Sequence, residues 1–155
     1  MKEGKFYADS MLGKLARWLR LMGFDVEYAT SDLTDDEIMR YCSENRLFLL
    51  TRDKELAARY RISLYMESDS YEEQLKAFTS MFRPTPELYF TRCPLCNGTV
   101  RKMKTEEFGG PLPEGVRLRQ RHIYVCEECG KAYWEGSHFD AILKKLNGIM
   151  NEGQS

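Results

Sequence analysis

Between residues 5 and 82, short apolar runs alternate with stretches whose apolar positions recur at helical spacing, the rhythm of a parallel sheet joined by crossover helices. Lys5 to Ala8 reads as the first strand. Leu12, Leu15, Ala16, Leu19 and Met22 then fall on one helical face, and Gly23 supplies the left-handed residue that ends a helix. Asp25 to Thr30 reads as a second strand. Thr34-Asp-Asp-Glu37 has the form of a capping box, in which a hydroxyl and a carboxylate satisfy free backbone donors, and Ile38, Tyr41 and Cys42 mark the buried face of the helix it opens. Leu47 to Leu50 is apolar at every position, as expected of a central strand covered on both sides. A helix over Lys54 to Tyr60, a strand over Ile62 to Met66, and a helix opened by Ser70 and Glu73 that carries Leu75, Phe78 and Phe82 complete the series.

Arg83-Pro-Thr-Pro86 stops both helix and ladder, because proline lacks the donor that each requires. The pattern predicts an α/β domain over residues 1–82, a linker over 83–90, a small β module over 91–136 and a C-terminal helix within 137–150. The module reads as hairpin-like from Cys93 to Trp134, with a polar excursion through Gly109 to Gly115. The last helix is expected from about His138 to Asn147, with Phe139, Ile142, Leu143 and Leu146 as its stripe, Gly148 after it, and the first domain as the surface it packs on.

Composition narrows the classes. Of 155 residues 43% are hydrophobic, and none of the apolar runs approaches the roughly 20 residues of a membrane span, so no membrane partner is expected. The opening MKEGKFYADS carries no basic region followed by an apolar run, which predicts the cytosol. The formal net charge of −1 excludes a uniformly basic nucleic-acid binder and requires any binding face to be local. There are five cysteines, an odd number unsuited to a disulfide framework. Four form two C-x-x-C pairs, and Cys42 falls on an amphipathic pattern as a buried thiol.

Cys93-Pro-Leu-Cys96 is followed by Asn97-Gly98, and Cys126-Glu-Glu-Cys129 by Gly130. Such spacing lets both thiolates of a tight turn point at one ion about 2.3 Å away, and the glycine accepts the backbone angles of the turn. The pairs predict one structural Zn²⁺, whose four sulfur ligands leave no place for substrate. The Gly/Pro-rich excursion explains the long separation of the pairs. His122 and His138 lie nearby in sequence; either could replace a cysteine as ligand, but with four cysteines available surface roles or roles behind the ligands are expected of them.

Asp9 directly follows the first strand, Asp53 follows the buried strand Leu47–Thr51 by one residue, and Asp35 and Asp36 open the helix after the second strand. Parallel sheets gather ligands beyond the carboxyl ends of their strands, so these acids are expected on one rim. Each alone reads either as a helix cap or as a ligand. Together, like charges on one rim call for a cation, and carboxylate oxygens suit Mg²⁺ or Mn²⁺ and the hydrolysis of phosphodiesters.

The stretches FYADSMLGKLARWLRLMGFDVEY, TDDEIM, LFLLTRDKEL, CPLCNG and CEECGKAYWEGSH together resemble the mut-seven C-terminal RNase domain family. That resemblance implies a PIN-like three-layer α/β/α domain with a mainly parallel sheet, followed by a β zinc ribbon and a C-terminal helix. It also implies metal-dependent cleavage of RNA, with catalytic metal ligands at Asp9, at Asp35 or its neighbour Asp36, and at Asp53. A fourth acid is expected of the wider group, with Glu37 and Asp140 as candidates that also have capping roles.

Lys14, Arg17 and Arg20 leave the apolar face of the first helix beside Asp9, where a phosphate backbone requires cations or where they pair with the acids. Arg117, Arg119 and Arg121 alternate, so on a strand they share one face near Tyr124, Tyr133 and Trp134, a strip suited to single-stranded RNA. The leading expectation is therefore an RNA hydrolase. A non-catalytic RNA-binding or adaptor protein and a phosphatase or DNA nuclease are the alternatives, and any protein regulator is unknown.

Overall fold

A computed structural model of the chain describes residues 4–29 and 32–153. Strand β1 (Lys5–Ala8) lies at the centre of a parallel sheet, paired on one side with β2 (Asp25–Tyr28) and on the other with β3 (Phe48–Thr51), which in turn pairs with β4 (Ser63–Tyr65). The order is β2-β1-β3-β4. Thr30, the expected end of the second strand, lies outside the described residues.

Period-two alternation sorts these strands between two cores. Phe6, Ala8 and Leu50 face one side, where they meet Leu12, Leu15, Ala16 and Leu19 from the turn before α1 (Gly13–Leu21) and from α1 itself, with Leu75 and Phe78 of α4 (Tyr71–Met81). Tyr7 and Leu49 face the other side, where Ile38 and Cys42 of α2 (Asp35–Glu44) and Leu56 of α3 (Lys54–Arg59) cover them. Helices thus bury both faces. On the first side Phe6 meets Phe24, Phe48, Phe78 and Phe82 edge to face at 4.9–5.9 Å, the arrangement that ring quadrupoles favour.

The Thr34 capping box forms as its sequence predicts, with Glu37 N–H on the Thr34 hydroxyl at 3.1 Å and Thr34 N–H on the Glu37 carboxylate at 3.0 Å. Ile38 and Cys42 are buried. Tyr41, expected beside them, is instead 38% exposed and turns its hydroxyl to Glu27.

Beyond the proline-rich stretch, β5 (Val100–Lys104), β6 (His122–Cys126) and β7 (Ala132–Tyr133) make an antiparallel sheet. A short helix, α5 (Glu114–Arg119), occupies the excursion between β5 and β6. Arg117 and Arg119 therefore lie on a helix and Arg121 precedes β6, so the expected single strand face for these three does not form. Pro113 enters the helix with a fixed φ of −58° and accepts from Val116 and Arg117, and burial of Val116 secures the turn.

The last helix, α6 (Ser137–Gly153), runs past the expected stop at Gly148. Ile149 is buried in the first core, a gain of about 1.5–3 kcal/mol that exceeds the roughly 1 kcal/mol cost of an internal glycine. Leu146 joins it there, and α6 packs along α4. Among the described residues no helix is long and apolar enough to cross a membrane.

The sheet and the cysteine module meet along β2. The Val26 amide donates to the Asn97 side chain at 3.1 Å, Asn97 donates to Asp25 at 2.8 Å, and Arg92 pairs with Asp25 at 3.5 Å. An otherwise open sheet edge is thereby covered.

Candidate functional site

Strands β1 and β3 are neighbours in the sheet but not in sequence, so the chain departs from them on different routes and leaves a crevice beyond their carboxyl ends. Asp9 stands in that position. Its amide continues the ladder to the Leu50 carbonyl at 3.1 Å, which fixes the side chain at the strand end. The carboxylate is only 9% exposed: Oδ1 accepts from Met11 N–H at 3.0 Å, while Oδ2 accepts from the Thr51 hydroxyl and from Arg52 N–H at 3.0 Å.

Thr51 links this acid to the next. Its oxygen also accepts from Asp53 N–H at 2.9 Å. Asp53 caps α3 through Oδ1, which accepts from Leu56 N–H at 3.1 Å, and its Oδ2 has no hydrogen-bond partner among the described residues. The cap and ligand readings of this aspartate are thus compatible, one oxygen for each. Arg52 lies between the acids in sequence but turns away, donating to the carbonyls of Met66 at 3.3 Å and Glu67 at 2.9 Å beyond β4. It leaves the acids unneutralised.

Asp35 and Asp36 part company at the start of α2. Asp36 is exposed and paired with Arg59 of α3 at 2.6 Å, whereas Asp35 is half-buried and has no hydrogen bond or ion pair with the described residues. Glu37 is engaged in its capping box, and Asp140 is an exposed residue in the first turn of α6. Thr51 joins Asp9 and Asp53, but Asp9, Asp35 and Asp53 do not bring carboxylate oxygens within 4.8 Å of one another as a set of three; among the described residues only the cysteines form such a group.

The expected cations have three different situations. Arg20 is 7% exposed, not free: Nε donates to the Val26 carbonyl at 2.9 Å, and Nη1 to the carbonyls of Pro94 at 3.0 Å and Leu95 at 3.3 Å. Burial lowers its pKa against the opposing pull of Cys96, Cys93 and Asp25. Lys14 is exposed, with its ammonium 4.2 Å from the centre of the Tyr71 ring. Arg17 is exposed and makes no hydrogen bond or ion pair with the described residues, including the rim acids. Of the distant arginines, Arg117 holds its own loop through the carbonyls of Phe108 at 3.2 Å and Gly110 at 2.6 Å, while Arg119 and Arg121 are exposed.

Cys93, Cys96, Cys126 and Cys129 gather their Sγ atoms within 4.8 Å of one another. Cys93 and Cys129 are 3.8 Å apart, and Cys96 and Cys126 3.4 Å, close to the roughly 3.8 Å edge of a tetrahedron with 2.3 Å zinc–sulfur bonds. All four, and Cys42, are free thiols. The turns are built alike. Asn97 N–H donates to the Cys93 carbonyl at 2.8 Å and Gly130 N–H to the Cys126 carbonyl at 3.0 Å, with positive φ at Asn97 (70°) and Gly130 (79°). Gly98 is required by contact, since a Cβ there would lie 2.9 Å from the Cys126 sulfur. Backbone amides of Gly98, Glu128 and Cys129 point at sulfur at 3.4 Å, the environment that favours thiolates. Burial raises the pKa of Cys93, but the Tyr133 hydroxyl at 3.0 Å and two backbone amides outweigh it and bring the thiol down to about 7. The donor set fits a structural zinc ion. Neither histidine joins it, for the described group contains the four cysteines alone.

Sequence reasoning passed over Thr51 and Asn97. The signal for Thr51 was its hydroxyl at the end of an otherwise apolar strand; Asn97 had none beyond its turn, because its partners on β2 are remote in sequence.

No curated protein matches the chain significantly. A family model described as the Mut7-C RNAse domain matches residues 4–146, which takes in the sheet, the rim acids, the four cysteines and most of α6. The chain belongs to the Mut7-C RNAse domain family.

Proposed function

We propose that this chain is a metal-dependent ribonuclease of PIN-like architecture, with Asp9, Asp35 and Asp53 holding Mg²⁺ or Mn²⁺ and a zinc ribbon held by the four cysteines. The observation that carries the reading is the Thr51 hydroxyl joined to both Asp9 and the Asp53 amide at the crevice between β1 and β3, in a chain of an RNase family. Asp35 is preferred to Asp36, which is occupied by Arg59. Mg²⁺ keeps several of its waters and needs only one or two direct carboxylates, so the reading does not require all three acids to touch the ion. When bound there, the metal supplies a polarised phosphate and an activated water.

The chain's own residues have defined tasks in this scheme. Asp9 presents a carboxylate already oriented by three donors, so little reorganisation accompanies metal or substrate entry. Asp53 offers its uncommitted oxygen. Arg17 and Lys14 supply phosphate contacts beside the rim, and exposed Arg119 and Arg121 add a weaker attraction on the ribbon. The free thiols accord with a reducing cytosol as the working compartment.

The test is cleavage of labelled single-stranded RNA and DNA by the zinc-loaded protein in Mn²⁺. Asp9→Asn and Asp53→Asn are each expected to lower RNA cleavage at least about 100-fold, since removing even an outer partner of a metal ligand costs about 10- to 100-fold. Undiminished cleavage in both variants would remove the assignment. RNA binding without any cleavage would leave the adaptor reading.

A further inference from the structure

A groove of about 480 Å³ runs between α1 and the first cysteine turn, lined on the helix side by Lys14, Arg17 and Arg20 and on the ribbon side by Pro94 and Leu95, with Tyr28 at its end. Its lining brings three cations and no carboxylate. The neighbouring groove on the α4 side shares Lys14 but is lined by Asp69 and Glu72, which repel a polyanion.

Several features indicate what the cationic groove receives. Arg17 lacks a partner among the described residues, and Leu95 is 54% exposed, an apolar side chain left on the outer wall. The wall is held in place, because Arg20 grips the Pro94 and Leu95 carbonyls from beneath. The groove also leads to the rim: the Tyr28 hydroxyl donates at 2.7 Å to the carbonyl of Ser10, the residue after Asp9. Its volume falls in the range of small-ligand clefts, roughly 300–1,000 Å³, which suits one or two nucleotides of a single strand.

We propose that single-stranded nucleic acid enters through this groove, with phosphates on Arg17 and Lys14 and a base or ribose against Leu95, so that the ribbon forms half of the substrate path. The inference deepens the nuclease reading and rests on it for the strand's destination. Arg20 is a positioning residue here, acting through the wall it holds.

Binding of a fluorescein-labelled 12-nucleotide RNA to the zinc-loaded full chain, followed by anisotropy at several salt concentrations without Mg²⁺ or Mn²⁺, tests it. Arg17→Gln is expected to raise Kd about fivefold or more and to reduce the log Kd against log salt slope by about 0.7, the release expected for one phosphate contact on a single strand. Leu95→Ser is expected to raise Kd severalfold with the slope unchanged, the mark of an apolar contact. Unchanged thermal midpoints confirm that both variants fold. Wild-type affinity and slope in both overturn the groove, as does loss of binding only in an Arg119→Gln/Arg121→Gln variant. If the groove variants bind and cut RNA normally while Asp9→Asn does not cut, the groove falls and the nuclease stands; if they lose binding in a protein that never cuts, the groove stands and the nuclease falls.

Discussion

Thr51 is fully buried, yet its hydroxyl donates to Asp9 and accepts from the Asp53 amide, so one side chain sets the relative position of two rim acids. Thr51→Val keeps the shape of the side chain and deletes the link. We expect it to weaken Mn²⁺ binding about 10-fold, the low end for partners of metal ligands, and Thr51→Ser to restore it. Isothermal titration with Mn²⁺ measures both; equal affinity in the valine variant would refute the positioning role. Cys42 offers a second test at this scale. Burial first, and then Glu27, push its thiol from the usual 9.0 up to about 12. A folded pKa above the unfolded one contributes stability that is complete below about pH 9 and is lost as the pH climbs toward 12. At pH 8 in the native, zinc-loaded protein Cys42 should therefore resist iodoacetamide, and modification mapped to it by mass spectrometry before unfolding would contradict the burial. The positions of Asp9, Asp53 and Cys42 were legible because each is fixed by local sequence, a strand end or a helix face. Arg20 was not, although its place four residues after buried Ala16 hints at the edge of the apolar stripe; two of its three partners lie 74 and 75 residues away.

Elements were legible in proportion to how far local rules decide them. The capping box of α2 and the apolar run of β3 need nothing from the rest of the chain, and both form where the residues put them. The stop expected at Gly148 failed because a distant core rewards Ile149, and α5 was missed because Gly115 hides a helix that Val116 secures by burial. Alternating arginines looked like a strand only while that burial was unseen. The joint between elements is the same kind of tertiary fact: Arg20 ties α1 to β2 through Val26 and to the first cysteine turn through Pro94 and Leu95. Arg20→Met preserves most of the stem and leaves these carbonyls without their donor. It should destabilise the protein by about 1–3 kcal/mol in urea unfolding, the usual penalty for orphaned polar groups, and a variant as stable as wild type would show that water replaces the guanidinium without cost.

At the scale of the molecule, the ribbon has little with which to hold itself. Between Cys93 and Tyr133 the buried apolar residues are Cys93, Val116, Ile123 and Cys126, two of them members of the cysteine cluster, so an ion held there would replace most of a core. That small module nevertheless covers the β2 edge: Asn97 in the first turn accepts from Val26 and donates to Asp25, while the neighbouring carbonyls satisfy Arg20. Because the same turn carries Cys93 and Cys96, a metal ion held by the cysteines would stabilise contacts made by the sheet. Zinc removal should consequently be felt in both parts. With zinc chelated, amide exchange is expected to accelerate through residues 91–133 and also, by at least about tenfold, at Val26, whereas amides of β3 in the middle of the sheet should keep their protection. Readdition of Zn²⁺ should restore the β2 protection together with that of the ribbon. Exchange confined to the ribbon would mean that the edge holds without its cover, and that the two halves of the molecule are neighbours rather than one thermodynamic unit.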